Sequence, residues 1–155
     1  MERNELMQMA IDKSVESVAN GGGPFGAVIA KDGEVIAVTS NSVTKTNDPT
    51  AHAEINAIRE AANKLETFDL SGCEIYSSCE PCPMCLGAIY WARLDKLYFA
   101  GNKNDAMEAG FDDSFIYDEL GLQYTERKLK TSQIMREEAL KAFDKWRDFE
   151  GKIEY

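Results

Sequence analysis

His52 is the only histidine of the chain, and it opens the tripeptide His52-Ala53-Glu54. Further on, the run CEPCPMCLGAIYW, residues 79–91, sets three cysteines three apart among two prolines, the middle one, Cys82, thirty positions after His52. One imidazole and two thiolates are the donor set of a catalytic zinc, which keeps three protein ligands and leaves its fourth position to water. His52, Cys82 and Cys85 supply that set, so the sequence predicts one Zn2+ per subunit with water as the fourth ligand. Cys79 stands apart from it. If residues 79–85 were one helix, Cys79 and Cys85 would point about 120° apart, and Pro81 and Pro83 turn residues 79–82 away from helix. Cys79 is therefore expected beside the ion and not on it. A structural four-thiolate site would also need Cys73, and the strand of five residues between Cys73 and Cys79 sets their sulfurs roughly 20 Å apart. A redox C-x-x-C is the remaining reading of Cys82 and Cys85, and that motif alone is weak.

Glu54 follows His52 by two residues, about 200° round an ideal helix, so the two cannot share a side face. Both can still reach a point on the helix axis just beyond its N-terminus. A carboxylate there, beside water activated by a metal, is a candidate general base. The plainer alternative is an acidic residue favoured by the helix dipole, and the neighbouring metal ligand weighs against it.

These side chains need elements to position them. Met7, Ile11, Val15 and Val18 recur at helical spacing, and Gly21-Gly22-Gly23-Pro24 ends that helix. GAVIA and EVIAVTSNSV are β-rich runs joined by Asp32-Gly33, a strong hairpin signal. AHAEINAIREAANKL predicts a second helix with Ile55, Ile58 and Ala62 on one face, which Thr50 or Asp48 could cap. CEIYSS is a short buried strand, and PMCLGAIYWAR a helix with Pro83 in its first turn. Both C-x-x-C thiols then lie where the partial positive charge of a helix start favours thiolate. KLYFAG is a further strand. This order predicts an α/β layered sheet with helices on both faces. Beyond Gly101 the pattern breaks into short helical pieces at Gly110 and Gly121. A last amphipathic helix carries Leu140, Phe143 and Trp146.

A chain of 155 residues suits a single domain with a full core, here 1–155, since no linker or repeat interrupts it. The 44% apolar and 28% charged content is that of a folded globular protein, which excludes wholesale disorder. No apolar stretch approaches the ~20 residues of a membrane span. The polar, acidic start lacks an apolar h-region, so a cytoplasmic protein is expected, in which four cysteines serve metal or catalysis rather than disulfides. The formal charge of −10 repels nucleic acid. The one short basic patch, Arg127, Lys128 and Lys130, is flanked by Glu119, Glu126, Glu137 and Glu138, and reads as a solvated face. A small-molecule substrate is left.

The stretch H-x-E upstream of P-C-x-x-C matches the zinc deaminase signature. With GGPFGAVI, NDPTAHAE and SCEPCPMCLGAIYWAR it closely resembles the cytidine-deaminase-like zinc aminohydrolases. Within them, GFDDSFIYDE and the terminal K-x-E-Y are similar to bacterial guanine deaminases. The resemblance runs over about residues 20–120 and the last residues. It implies a three-layer α/β/α sandwich and hydrolysis of guanine to xanthine and ammonia, in purine catabolism or salvage. It also implies a domain-swapped homodimer whose C-terminal segment, about 130–155, exchanges between subunits and closes the neighbour's site. Glu54 would be the catalytic base, and Asp113 a second acid near the leaving amine. Asn41 and the Ala53 backbone would hold the purine, Phe25 and Trp91 would line the pocket, and Tyr155 would be the lid. Plainer roles exist for Phe25 and Trp91 (core), Asn41 (turn) and Asp113 (helix cap). A guanosine deaminase, a tRNA adenosine deaminase and a non-catalytic zinc protein are the alternatives, and iron or cobalt would also accept the ligand set.

Overall fold

Asp32 and Gly33 turn the backbone at φ 51° and 80°, both positive as a two-residue type I′ hairpin requires. They join β1 (Gly26–Lys31) to β2 (Glu34–Ser40), which pair antiparallel. On the other side of β1, β3 (Cys73–Cys79) runs antiparallel to it, and β4 (Lys96–Gly101) runs parallel to β3. The sheet order is therefore β2-β1-β3-β4. The computed structural model describes all 155 residues, as two compact units, Met1–Ser114 and Phe115–Tyr155. The sheet belongs wholly to the first.

Side chains alternate across a strand, and here the alternation sorts two cores. Val28, Ala30 and Tyr76 pack with Leu6 and Ala10 of α1 (Arg3–Ala19) on one face. Ala27, Ile29 and Ile75 pack on the other against α3 (Ala53–Leu65) and α4 (Pro83–Trp91), through Ala53, Ala57, Ala61 and Ile89. The layering is that of an α/β/α sandwich around a mixed sheet, as the order of elements predicts. The parallel pair β3 and β4 is joined by α4, the crossover that parallel neighbours need.

Two helices turn a different face to the sheet from the one the apolar spacing indicates. In α1 the buried residues are Leu6, Ala10 and Ser17, while Val15 and Val18 are 65% and 55% exposed. The reason is close approach. A Cβ on Gly26 would lie 2.2 Å from the Ala10 carbonyl oxygen, so the helix rests directly on β1 and only small side chains fit between. In α3 the innermost stripe is likewise small, Ala53, Ala57 and Ala61, with Ile58 and Ala62 only partly buried at its edge. Neither Thr50 nor Asp48 caps α3. The N-cap residue is His52, and Asp48 instead accepts hydrogen bonds from the amide and hydroxyl of Thr50.

A short helix, α2 (Val43–Thr46), bridges β2 and α3, and α5 (Lys103–Glu108) follows β4. The interruptions expected at Gly110 and Gly121 fall between α5 and α6 (Ser114–Leu120) and just after α6. In the second unit, α7 (Arg136–Asp148) is the amphipathic helix of Leu140, Phe143 and Trp146. No residue from 115 to 155 is buried. No helix is long and apolar enough to cross a membrane.

Candidate metal centre and active site

The N-termini of α3 and α4 deliver the three donor residues. His52 is the N-cap of α3 and Cys82 the N-cap of α4, with Pro83 in its first turn and Cys85 on the same turn. The Cys82 sulfur accepts the Cys85 amide at 3.5 Å, so it serves as the cap itself. His52 Nδ1 stands 3.5 Å from the sulfur of Cys82 and 3.5 Å from that of Cys85. All three donor atoms lie within 4.8 Å of one another. A tetrahedral zinc with ordinary Zn–S and Zn–N bonds would set nitrogen and sulfur about 3.6 Å apart. Both nitrogen–sulfur distances therefore fit a zinc ion.

The two thiols differ in charge state: the hydrogen bond to Cys82, and then burial, push the Cys85 thiol well up, while Cys82 goes the other way. Hydrogen bonds from Cys85 and His52 hold the Cys82 thiol down to about 4, against the cost of its burial. The hydrogen bond to Cys82 raises His52. Cys79 is not part of the triad. Its sulfur donates towards the Asn102 carbonyl at 3.7 Å, and burial pushes it up to about 11, as expected of a thiol beside the centre and not on it. Cys73 is buried in the core, and all four cysteines are free.

The triad opens onto a cavity of about 630 Å³ lined by His52, Cys82, Glu54, Asn41, Phe25 and Asp113, among others. Glu54 is 5% exposed. It accepts a hydrogen bond from the Ser77 hydroxyl at 2.8 Å, and burial raises its carboxyl above the usual range. Asp113 is raised by burial too. Four carboxylates, Glu54, Glu80, Asp112 and Asp113, line the cavity, and no Lys or Arg does. Asn41 is buried at the end of β2, its Oδ1 accepting the Val43 amide at 3.1 Å. The Phe25 ring meets Phe111 edge-to-face at 5.0 Å.

Two expected pocket residues are not among those lining the cavity of the single chain. Ala53 is fully buried and does not line the cavity. Its carbonyl accepts the Thr39 hydroxyl, while its amide is the first of α3, where no intrahelical acceptor exists. Trp91 ends α4, is 64% exposed and lies outside the cavity lining, with the Arg93 guanidinium 5.9 Å from its ring. The apolar context that suggests a pocket wall belongs instead to the outer end of the helix. Tyr155 lies in the second unit and is exposed.

Three contributors escape a reading of the sequence. Ser77 lies on β3, 23 residues from Glu54, and only the sheet brings it there. Phe111 is signalled by no more than its place in GFDD. Asn56 donates its side-chain amide to the Ser40 carbonyl and the Ser42 hydroxyl at 2.9 and 3.0 Å. It thereby ties the segment after β2, which carries Asn41, to the helix that carries His52.

With this geometry in place, the family follows. Residues 1–101 match the model of the cytidine and deoxycytidylate deaminase zinc-binding region. The chain belongs to that family. It is similar to the guanine deaminase of Bacillus subtilis, 51% identical with all of both chains covered. The crystal structure of that enzyme superposes with a TM-score of 0.97, covering 100% of this chain and 99% of that one. A guanine deaminase structure from Nitrosomonas europaea is 34% identical, with a TM-score of 0.70 over 72% of this chain and 65% of that one. The tRNA-specific adenosine deaminase of Aquifex aeolicus is 41% identical, but over only 64% of this chain and 66% of its own.

Proposed function

We propose that this chain is a zinc-dependent guanine deaminase, which adds water to guanine and releases xanthine and ammonia. The observation that carries this reading is the match to the Bacillus subtilis guanine deaminase over the whole length. A tRNA-specific adenosine deaminase of Haemophilus influenzae also matches over 97% of the chain, but at 33% identity against 51%. His52, Cys82 and Cys85 hold one ion per chain. Zinc with three protein ligands and an open position makes water a nucleophile near neutral pH.

The protein's own groups do the rest. Glu54 sits beside the triad with its carboxylate in a dry setting, where a raised affinity for protons suits a base. It takes a proton from the attacking water and delivers it to N3 as the new bond forms at C2. It then takes the second proton, from the new C2 hydroxyl, and passes it to the exocyclic amine, helped by Asp113, so that the C2–N bond breaks, ammonia departs and the C2 carbonyl of xanthine remains. Asn41 and the Ala53 amide hold the purine edge, and Phe25, braced by Phe111, walls one side of the ring. Trp91, on the outside of α4, is available to such a site only from a neighbouring subunit.

The working form in this reading is a homodimer in which roughly residues 130–155 cross to the neighbour and Tyr155 closes its site. Support comes from the second unit itself, which buries no residue while carrying Phe143, Trp146, Phe149 and Tyr155 exposed. The enzyme works in the reducing cytoplasm on free purines, where its four free thiols persist.

The test is ammonia release from guanine, guanosine, adenine and cytosine by the zinc-loaded protein. Release from guanine alone supports the reading. Release from guanosine but not guanine makes it a nucleoside enzyme and overturns the substrate assignment.

A further inference from the structure

Glu54 is held from the sheet side by a residue that serves neither the metal nor the substrate directly. Its Oε1 lies 2.8 Å from the hydroxyl of Ser77, and that same hydroxyl oxygen lies 2.7 Å from the carbonyl oxygen of Cys79. Ser77 is 2% exposed. It stands towards the end of β3, in register with Ala27 of β1 on one side and Phe99 of β4 on the other. Ladders on both edges fix its backbone, so its oxygen is a fixed point in the sheet.

The groups it touches belong to two different machines. Glu54 rides on α3, in the first turn from its N-terminus, beside the histidine ligand. Cys79 starts the turn that leads to Cys82 and Cys85 at the head of α4. A single hydroxyl thus stands between the carboxylate and the backbone that carries the sulfur ligands. It has one proton and two acceptors within reach, and a bond to an ionised carboxylate is the stronger of the two. The carboxylate's other partners are its own backbone amide and the Cys85 side chain, and the Ser77 hydroxyl is the one that reaches it from the sheet.

We propose that Ser77 is a positioning residue for the reaction. Its O–H donates to Oε1 of Glu54 and locks the carboxylate plane, so that Oε2 faces the cavity beside His52 and Cys82. This rests on Glu54 acting as the base. A side chain that merely filled space at position 77 would not need its hydroxyl.

The experiment uses the full-length zinc-loaded protein with Ser77→Ala, Ser77→Thr and, as a control, Glu54→Gln. Ser77→Ala should lower kcat on guanine roughly tenfold to a hundredfold, the scale of a small misplacement of a reacting group, with KM and zinc content unchanged. Ser77→Thr, which keeps the hydroxyl, should recover most of kcat. Independently of turnover, the carbon resonance of the Glu54 carboxyl, assigned by its loss in Glu54→Gln, should move in Ser77→Ala and return in Ser77→Thr. An unmoved resonance, an unchanged kcat in Ser77→Ala, or equal losses in both variants overturns the proposal. Full turnover in Glu54→Gln removes the base reading instead, and the resonance still decides the Ser77 bond.

Discussion

Glu54 combines two demands that pull in opposite directions. It must sit close to the metal donors, and in this fold that place is 5% exposed, so ionising it there costs stability, as its raised carboxyl records. A group whose folded affinity for protons is raised weakens the fold as pH rises through its ordinary range towards its folded one. Glu54→Gln removes that cost and keeps the shape. The variant should bind zinc as the parent does and melt no lower, while turnover on guanine falls by about 10²–10⁴-fold, the usual contribution of general acid–base catalysis. Metal analysis, a melting curve and an ammonia assay on one preparation check all three. Turnover near the parent value would take the base role away from Glu54. At this scale the sequence is most informative, because the donor set is a matter of residue type and spacing. His52, Cys82, Cys85 and Glu54 are readable for that reason, and Ser77 is not. A serine in a strand announces nothing until the sheet sets it against a helix 23 residues away in the chain.

The elements that hold these residues repeat one device three times. Asp48, Asp69 and Asp112 each accept the amide and the hydroxyl of the residue two positions on, Thr50, Ser71 and Ser114. Those bonds favour the ionised carboxylate, and each of the three is lowered from its ordinary value by its hydroxyl partner first and its amide partner second. The first turn leads into His52, the second into β3, and the third lies on the cavity wall. A carboxylate lowered in the folded state stabilises it above the unfolded value and loses that contribution as pH falls through the folded one. The urea midpoint should therefore decline below about pH 4. Side-chain titration by NMR should find these three among the last aspartates to protonate; if they titrate with the exposed remainder, the turns do not hold in solution. The Asp32-Gly33 hairpin, the strand over KLYFAG and the Pro83 helix start are legible because turn chemistry and capping are local. The buried faces of α1 and α3 are not, because apolar spacing points to Val15 and Val18. What selects Ala10 is the closeness of α1 to β1 at Gly26, and Ser17 turns inward to donate its hydroxyl to the Gly23 carbonyl, properties of packed pairs that neither segment carries alone. Trp91 is exposed for a related reason, since an apolar helix with one buried stripe leaves its remaining apolar side chains outside.

Considered whole, the molecule has a first unit that contains every metal donor and cavity residue, and a second that buries nothing of its own. In the proposed exchanged dimer a second copy covers that unit, and each site is finished by its neighbour's tail. Removing the last three residues should then depress turnover with zinc content intact. Hybrid dimers of a Glu54→Gln chain with a tail-truncated chain should regain one working site, although each parent dimer is inactive. A fully active monomer rules the exchange out. The whole mechanism depends on an ion gripped by one nitrogen and two sulfurs with a position left over. The most direct measurement is X-ray absorption at the zinc edge of the purified protein. Two sulfurs at about 2.3 Å and two nitrogen or oxygen neighbours at about 2.0–2.1 Å are expected, with one metal per chain. A shell of three or four sulfurs, or a folded protein that carries no metal, would contradict that centre and the chemistry built on it.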